Sequence, residues 1–306
     1  MAASTKISSI FRPNLFKGKV AIVTGGGTGI GQAITQELLF LGCKVMIASR
    51  NMERLSESAE SMKLQIKPNS AAQLEHMQCN IRKEEQVKDL ISTTVKKFGK
   101  LDFLVNNGGG QFPSPAADIR LKGWNAVIET NLTGTFLCCR EAYNQWMKEN
   151  GGVIINIIAD MWRGFPSMSH TGAARAGVDN LTKTMAIEWA DKGVRVNAVA
   201  PGSSIYSDTA AANYGSPDVF DASIPYSPAK RLGRVEEVSA SVLFLLSPAA
   251  SFISGETVKV DAGSSLYANM WTIPDHKKSI PYTWATDDTG DNDDGSSSSS
   301  STKSKL

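Results

Sequence analysis

The sequence predicts an α/β protein: a doubly wound parallel sheet with helices on both faces. Three observations support that expectation. Apolar, β-branched runs alternate with amphipathic segments of helical spacing along most of the chain. The first run, Val20-Ala21-Ile22-Val23, leads directly into the turn Thr24-Gly25-Gly26-Gly27-Thr28-Gly29-Ile30-Gly31 and then a helix-forming stretch from Gln32 to Leu41. No repeat or linker interrupts the alternation between residues 15 and 265, so a single domain accounts for it.

Strands are predicted near 19–24, 44–48, 74–79, 102–105, 153–158, 194–200 and 256–261. Helices are predicted near 30–41, 52–65, 84–98, 122–149, 172–190 and 235–247. Trp124, Trp146 and Trp189 fall on these helices and read as packing anchors. The domain then spans 18–268, with a short arm at 1–17 and an extension at 269–306. Ser203 to Gly233, rich in Pro, Ser and Tyr, is expected to be an irregular functional lid.

A strand, a glycine turn and a helix N-terminus in that order make a seat for a dinucleotide diphosphate. Gly25 supplies backbone angles closed to other residues, Gly29 lets the backbone approach the phosphates, and Gly31 lets the helix lie close to the strand. Thr24, Gly25, Gly26, Gly27, Thr28, Gly29, Ile30 and Gly31 are therefore the first cofactor residues. In an open parallel sheet, ligands bind beyond the carboxyl ends of the strands. The post-strand segments Asn106–Gly110, Ile158–Asp160 and Pro201-Gly202 should therefore line the same crevice. NAD enzymes place an acid at the end of the second strand, about 20 residues past the glycines. Here that strand ends in Ser49-Arg50, and no carboxylate follows until Glu53. Arg50 can pair with a 2′-phosphate that an acid would repel, so the expected cofactor is NADP(H).

Composition excludes several classes. The chain has 306 residues, 42% hydrophobic and 20% charged, with a net charge of +2, which favours neither nucleic acid nor a membrane surface. No apolar run approaches the ~18 residues of a membrane span. Cys43, Cys79, Cys138 and Cys139 show no metal spacing and read as buried thiols; His76, His170 and His276 are scattered, so no metal site is expected. The N-terminus lacks a signal-peptide core. The C-terminus, acidic and then serine-rich from Thr286, is expected to be disordered. It ends in Ser304-Lys305-Leu306, an address read by the peroxisomal import receptor, so the expected location is the peroxisome.

Taken together, these motifs resemble the short-chain dehydrogenase/reductase superfamily over about residues 18–265. The marks are the glycine turn, Asn106-Asn107-Gly108-Gly109, Asn131-Leu132-Thr133-Gly134, Pro201-Gly202 and Asp261-Ala262-Gly263. The resemblance implies a single Rossmann-type domain. It implies that Asn106 and Gly108 support the adenosine and ribose side and that Asn80 stands beside the adenine, with Ile81, Asn107, Gly109, Pro201 and Gly202 completing the cofactor residues. It also implies a homo-oligomer built through the helices near 122–149 and 172–190.

The family's usual Ser, Tyr and Lys are absent. With the register fixed on Leu181–Ala186, the Lys position holds Arg175, the Tyr position Thr171 and the Ser position Ile158 or Ala159. A shifted register pairs Asp179 with Lys183, again without a tyrosine. Redox at a carbonyl needs a proton donor on the oxygen; reduction of an enoyl thioester places hydride on carbon and needs donors on a remote oxyanion. Catalytic candidates are Asn131 as an anchor, Arg175 at the ribose or the oxyanion, and Thr171 as an oxyanion donor or as the cap of its helix. Asp160 is a candidate proton relay, with His170 beside it; Asp179 and Lys183 complete the set under the shifted register. The loop Asn106–Pro115 and the segments Gly172–Val178 and Ser247–Ile253 resemble the branch of the superfamily that reduces trans-2-enoyl-CoA thioesters in peroxisomes. That branch implies NADPH-dependent reduction of an acyl-CoA thioester, with a 2,4-dienoyl-CoA reductase or a non-catalytic NADP(H)-binding protein as alternatives. On the lid, Tyr206, Tyr214 and Tyr226 could cover the acyl chain, and Lys230, Arg231 and Arg234 could attract coenzyme A phosphates.

Overall fold

The computed structural model describes residues 9–214, 218–267 and 272–284; the first eight residues and the whole serine-rich tail with its Ser-Lys-Leu terminus lie outside them. The seven predicted strands form: β1 (Val20–Thr24), β2 (Lys44–Ser49), β3 (Gln73–Gln78), β4 (Phe103–Asn106), β5 (Gly152–Ile157), β6 (Val194–Pro201) and β7 (Thr257–Val260). They pair in parallel in the order β3-β2-β1-β4-β5-β6-β7. The central strands β1 and β4 are buried at every residue, as a strand covered on both faces must be. The strand order reverses between β1 and β4, which opens a crevice at their carboxyl ends.

Helices α1 (Gly29–Phe40) and α2 (Met52–Lys63) cover one face, and α3 (Glu84–Phe98) covers the other. The long helix expected at 122–149 is instead α4 (Leu121–Ile128), α5 (Gly134–Ala142) and α6 (Lys148–Asn150), interrupted by π-turns at Glu129–Thr133 and Tyr143–Met147. The first interruption has local causes. Thr130 and Thr135 hydroxyls donate back to the Ala126 and Asn131 carbonyls at 2.7 and 2.9 Å, and Gly134 lies so close to Ile81 that a Cβ would stand 2.8 Å from its side chain. Asn131 occupies this widened turn.

After β5 comes the 20-residue α7 (Ser169–Glu188). The segment expected to be an irregular lid is partly helical, with α8 (Asp208–Tyr214), α9 (Asp218–Asp221) and a 3₁₀ turn at Ile224–Tyr226. Ser207 caps α8 by accepting the Ala210 N–H at 3.1 Å, and the alanines at 210–212 favour the helix. The lid is clasped at its base, where Tyr206 N–H donates to Gly233 and Gly233 N–H donates to Ser204. Helix α10 (Val235–Leu246) follows. One apolar layer joins Phe16, Ile34, Leu38 and Val242 to the sheet; the second joins Val87, Leu90, Cys139 and Met185 to its other face. All four cysteines are buried thiols, and burial pushes Cys79 up to about 11 and Cys139 to about 12. Among the described residues, no helix is long and apolar enough to cross a membrane.

Between α1 and α10, Glu37 is fully buried and accepts hydroxyl hydrogen bonds from Ser9 at 2.7 Å and Ser239 at 2.6 Å. Burial raises its pKa above the usual 4.5, more than the two hydroxyls lower it, and Glu236 adds a further push upward. The folded chain therefore holds this proton more tightly than the unfolded chain. The stabilisation is complete below pH 4.5 and is lost as pH rises through the folded pKa. Glu37→Gln should flatten that decline in a series of thermal melts taken upward from pH ~4.

Candidate active site

The glycine turn is held from three sides. Gly25, at φ +66°, donates its N–H to Ala48 on β2 at 2.7 Å. The Thr24 hydroxyl accepts the N–H groups of Asn107 (3.1 Å) and Gly108 (2.9 Å), and the Asn107 amide donates to the Thr24 and Gly25 carbonyls. Thr35 donates to Gly26 and Gly31, and Ser58 donates to Gly27. Gly31 has no room for a side chain: a Cβ there would lie 2.2 Å from the Gly25 carbonyl oxygen. Thr28 is the N-cap residue of α1 but its side chain caps nothing, and first-turn helix amides have no intrahelical partner. The turn thus offers N–H groups, a free hydroxyl and a helix N-terminus to an anion.

On the β2–β3 side a cavity of about 290 Å³ is lined by Ser49, Arg50, Asn80, Ile81, Asn107, Gly108 and Gly109 together with the turn. Among the described residues no acid lines it, and Arg50 is exposed at its edge. The residues expected to hold the cofactor are thus brought together, with one exception. Asn106 turns into the sheet, where its amide donates to Asn156 at 2.9 Å and is buried away from the cavity.

On the β5–β6 side a second cavity of about 250 Å³ is bordered by Gly109, Asp160, Arg175, Pro201 and Gly202, with apolar walls from Ile158, Phe165, Ile205 and Phe220. Arg175 is nearly buried and donates to the Ile157 carbonyl at 2.7 Å. A Cβ on Gly109 would lie 2.5 Å from its guanidinium and 2.9 Å from Asn131 Oδ1, so only glycine lets these groups meet. Asn131 in turn fixes the loop, accepting the Gly110 N–H at 3.0 Å and donating to the Gly110 carbonyl at 2.9 Å.

Two sequence expectations on α7 change. Thr171 does not cap the helix: it is the third residue of α7, and its buried hydroxyl has no hydrogen-bond partner among the described residues. Asp179 and Lys183 do not face the crevice. Asp179 accepts from Thr257 on β7 at 2.6 Å and pairs with Lys183, whose side chain is half exposed. Asp179 therefore ties α7 to the sheet edge, and the shifted register places no chemistry in the site. His170 is buried edge-on to Phe112, and its Nδ1 accepts the Thr171 N–H at 2.8 Å. Arg231 is engaged by Glu237 through two hydrogen bonds and by the Ser279 carbonyl, and Lys230 donates to Pro225, so of the three basic residues at the mouth only Arg234 is exposed.

Asp160 has a neighbour that sequence reasoning passed over as a family mark: Asp261, just after β7. Burial raises the Asp160 pKa and the nearby Asp261 charge raises it further. Burial also opposes ionisation of Asp261, but donors on Ser265 and Gly263 outweigh it and hold its pKa below normal; the two backbone N–H groups lie at 3.0 and 2.9 Å. The environments push the two carboxyl groups apart, one toward acid and one toward carboxylate.

The fold and crevice define a nicotinamide-dependent oxidoreductase of the doubly wound class. The family model described as Enoyl-(Acyl carrier protein) reductase matches residues 25–265. The chain belongs to the short-chain dehydrogenase/reductase superfamily. It is 34% identical to the peroxisomal 2,4-dienoyl-CoA reductase of Danio rerio, over 85% of this chain and 86% of that one. It is 38% identical to a Bacillus subtilis (strain 168) protein named "Probable 2,4-dienoyl-CoA reductase", over 81% of this chain and 97% of that one. Among solved structures, the citronellol catabolism dehydrogenase AtuB of Pseudomonas aeruginosa PAO1 is 44% identical, with a TM-score of 0.73, over 84% of this chain and 99% of that one. Two of these relatives are thus named as dienoyl-CoA reductases and the third as a dehydrogenase, all on the one superfamily fold.

Gly109→Ala tests the crossing of Arg175 and Asn131. Displacement of either group by about 1 Å should lower turnover on the order of 100-fold while the melting temperature changes little, measured by steady-state kinetics beside thermal unfolding.

Proposed function

We propose that the protein reduces a carbon–carbon double bond conjugated to a coenzyme A thioester, using NADPH, and that its preferred substrates are 2,4-dienoyl-CoA esters. The observation that carries this reading is a crevice with a guanidinium and an acid but, among the described residues that line it, no phenol: Arg175 and Asp160 border it, and the tyrosine position on α7 holds the buried Thr171. The cofactor fits the residues present: the Gly31 cradle excludes any side chain, and the acid-free cavity with Arg50 suits a 2′-phosphate. Bound there, NADPH supplies hydride. For hydride received at the far carbon of the conjugated system, negative charge would build on the thioester oxygen, and the Arg175 guanidinium that borders the cavity would donate to it. Asp160 then gives its proton to the α-carbon, leaving the double bond between carbons 3 and 4, which matches the (3E)-enoyl product in the zebrafish relative's name. For a trans-2-enoyl thioester the same residues would place hydride on the β-carbon and the proton on the α-carbon, giving a saturated acyl chain. NADPH oxidation with matched dienoyl- and enoyl-CoA series decides between the two.

The 44% identity to a citronellol catabolism dehydrogenase supports a second reading, oxidation of an isoprenoid alcohol. Turnover with NADP⁺ and citronellol, in the absence of any reaction with unsaturated thioesters, would establish it. We also place the protein in the peroxisome as a homo-oligomer. The Ser304-Lys305-Leu306 terminus and the peroxisomal relatives support the first; Phe136 on α5 and Ile187 on α7, both exposed, support the second. Deletion of residues 304–306 should leave the protein in the cytosol.

Asp160 works in its protonated form, so activity should fall as pH rises through its raised pKa. Asp160→Asn should remove that limb and cost about 100-fold in turnover. Asp261→Asn removes the neighbouring charge and should move the limb to lower pH; an unchanged profile in both variants would exclude Asp160 as the acid.

A further inference from the structure

We infer that Arg54 is a second determinant of cofactor choice, sharing the ribose phosphate with Arg50 and fastening the lid over it; the inference rests on the NADPH reading above. Arg54 lies on the first turn of α2, four residues after Arg50. Its backbone is fixed, because Asn51 caps the helix by accepting the Arg54 N–H at 3.0 Å. Its guanidinium reaches across to the lid, where Nη2 donates to the Thr209 hydroxyl at 3.2 Å. Among the described residues that neutral hydroxyl is its recorded side-chain partner, so its charge is not met by a carboxylate there.

Thr209 belongs to the cofactor cavity. It lines the same 290 Å³ space as Ser49 and Arg50, as does Ser207. The Ser207 hydroxyl would lie 3.2 Å from a Cβ on Gly29, so the start of α8 sits directly over the diphosphate turn. The lid thus covers the cofactor's phosphates as well as the substrate cavity, and Arg54 joins its first turn to α2. A 2′-phosphate carries up to two negative charges and three acceptor oxygens, enough for two guanidinium groups. With NADPH bound, Arg50 takes the phosphate from the strand end and Arg54 bridges it to Thr209. With NADH the phosphate is absent, and Arg54 contributes only its hydroxyl contact. Thr209 is a positioning residue in this arrangement, and Glu53 is the one acid in the first turn of α2 that opposes the anion.

The test is fluorescence titration of the full chain with NADPH and NADH, for the wild type, Arg54→Ala, Arg54→Lys, Thr209→Val and Arg54→Ala/Thr209→Val, with melting temperatures as a check on folding. Arg54→Ala should weaken NADPH about tenfold, the loss of one charge-assisted contact, and leave NADH within about twofold. Arg54→Lys should recover part of the NADPH affinity. Thr209→Val should weaken NADPH by a smaller factor and add nothing to Arg54→Ala in the double variant, because both act through one contact. If Arg54→Ala changes both cofactors equally, or neither, while the wild type prefers NADPH, the role of Arg54 is overturned and Arg50 alone reads the phosphate. If the wild type binds both cofactors equally, the NADPH assignment fails, and this inference fails with it.

Discussion

The approach of α1 to the end of β1 is the contact on which the rest of the site depends. Gly31 meets the Gly25 carbonyl where any side chain would collide, and Asn107 closes the same spot from β4. That closeness aims the first helical amides at the turn and fixes the distance between the two strands flanking the switch point. The cavities on either side of the turn inherit their positions from it. Thr24 links the two halves, since one hydroxyl organises both the glycine turn and the loop that leads to Gly109.

The chemistry of the crevice follows from a redistribution of roles. In the proposed reaction, separate groups take the proton and oxyanion roles that a single tyrosine would combine. Arg175 cannot lose its proton and is held by the Ile157 carbonyl, so it offers permanent positive charge without acting as an acid. The Thr171 hydroxyl, at the tyrosine position, is buried and has no hydrogen-bond partner among the described residues, a state that costs free energy. Asp160 is the group proposed to carry the proton, and its affinity for one is raised by burial and by the nearby charge of Asp261. Such a division suits a reaction in which hydride, negative charge and proton arrive at three different atoms.

Much of this was legible in the sequence because it depends on local pattern. Most of the strands announce themselves as apolar runs, and the turns that follow them must gather at one edge of a parallel sheet. That rule alone brought Ser49, Arg50, Asn80, Ile81 and Gly109 to the glycine turn. What depends on three-dimensional partners was not legible. Spacing placed Asp179 on a face of α7, but only the position of Thr257 on β7 shows that this face looks toward the sheet edge. Asn106 reads like its neighbour Asn107 until the pairing of β4 with β5 sets it against Asn156. The π-turn that holds Asn131 arises from back-bonding threonines and a close glycine, none of which disturbs the helical period. The lid helix α8 was masked by polar and Pro-rich surroundings, although Ser207 and three alanines carried its signal.

The central claim is that hydride goes to carbon of a conjugated thioester, with no phenol at the oxygen. Mass spectrometry of the product formed from deuterated NADPH and a 2,4-dienoyl-CoA ester tests it most directly. The account predicts a product with one double bond fewer and one deuterium on an acyl-chain carbon beyond the α-position. No deuterium in the acyl chain, together with label on the carbinol carbon of an alcohol formed from a ketone or aldehyde, would contradict it.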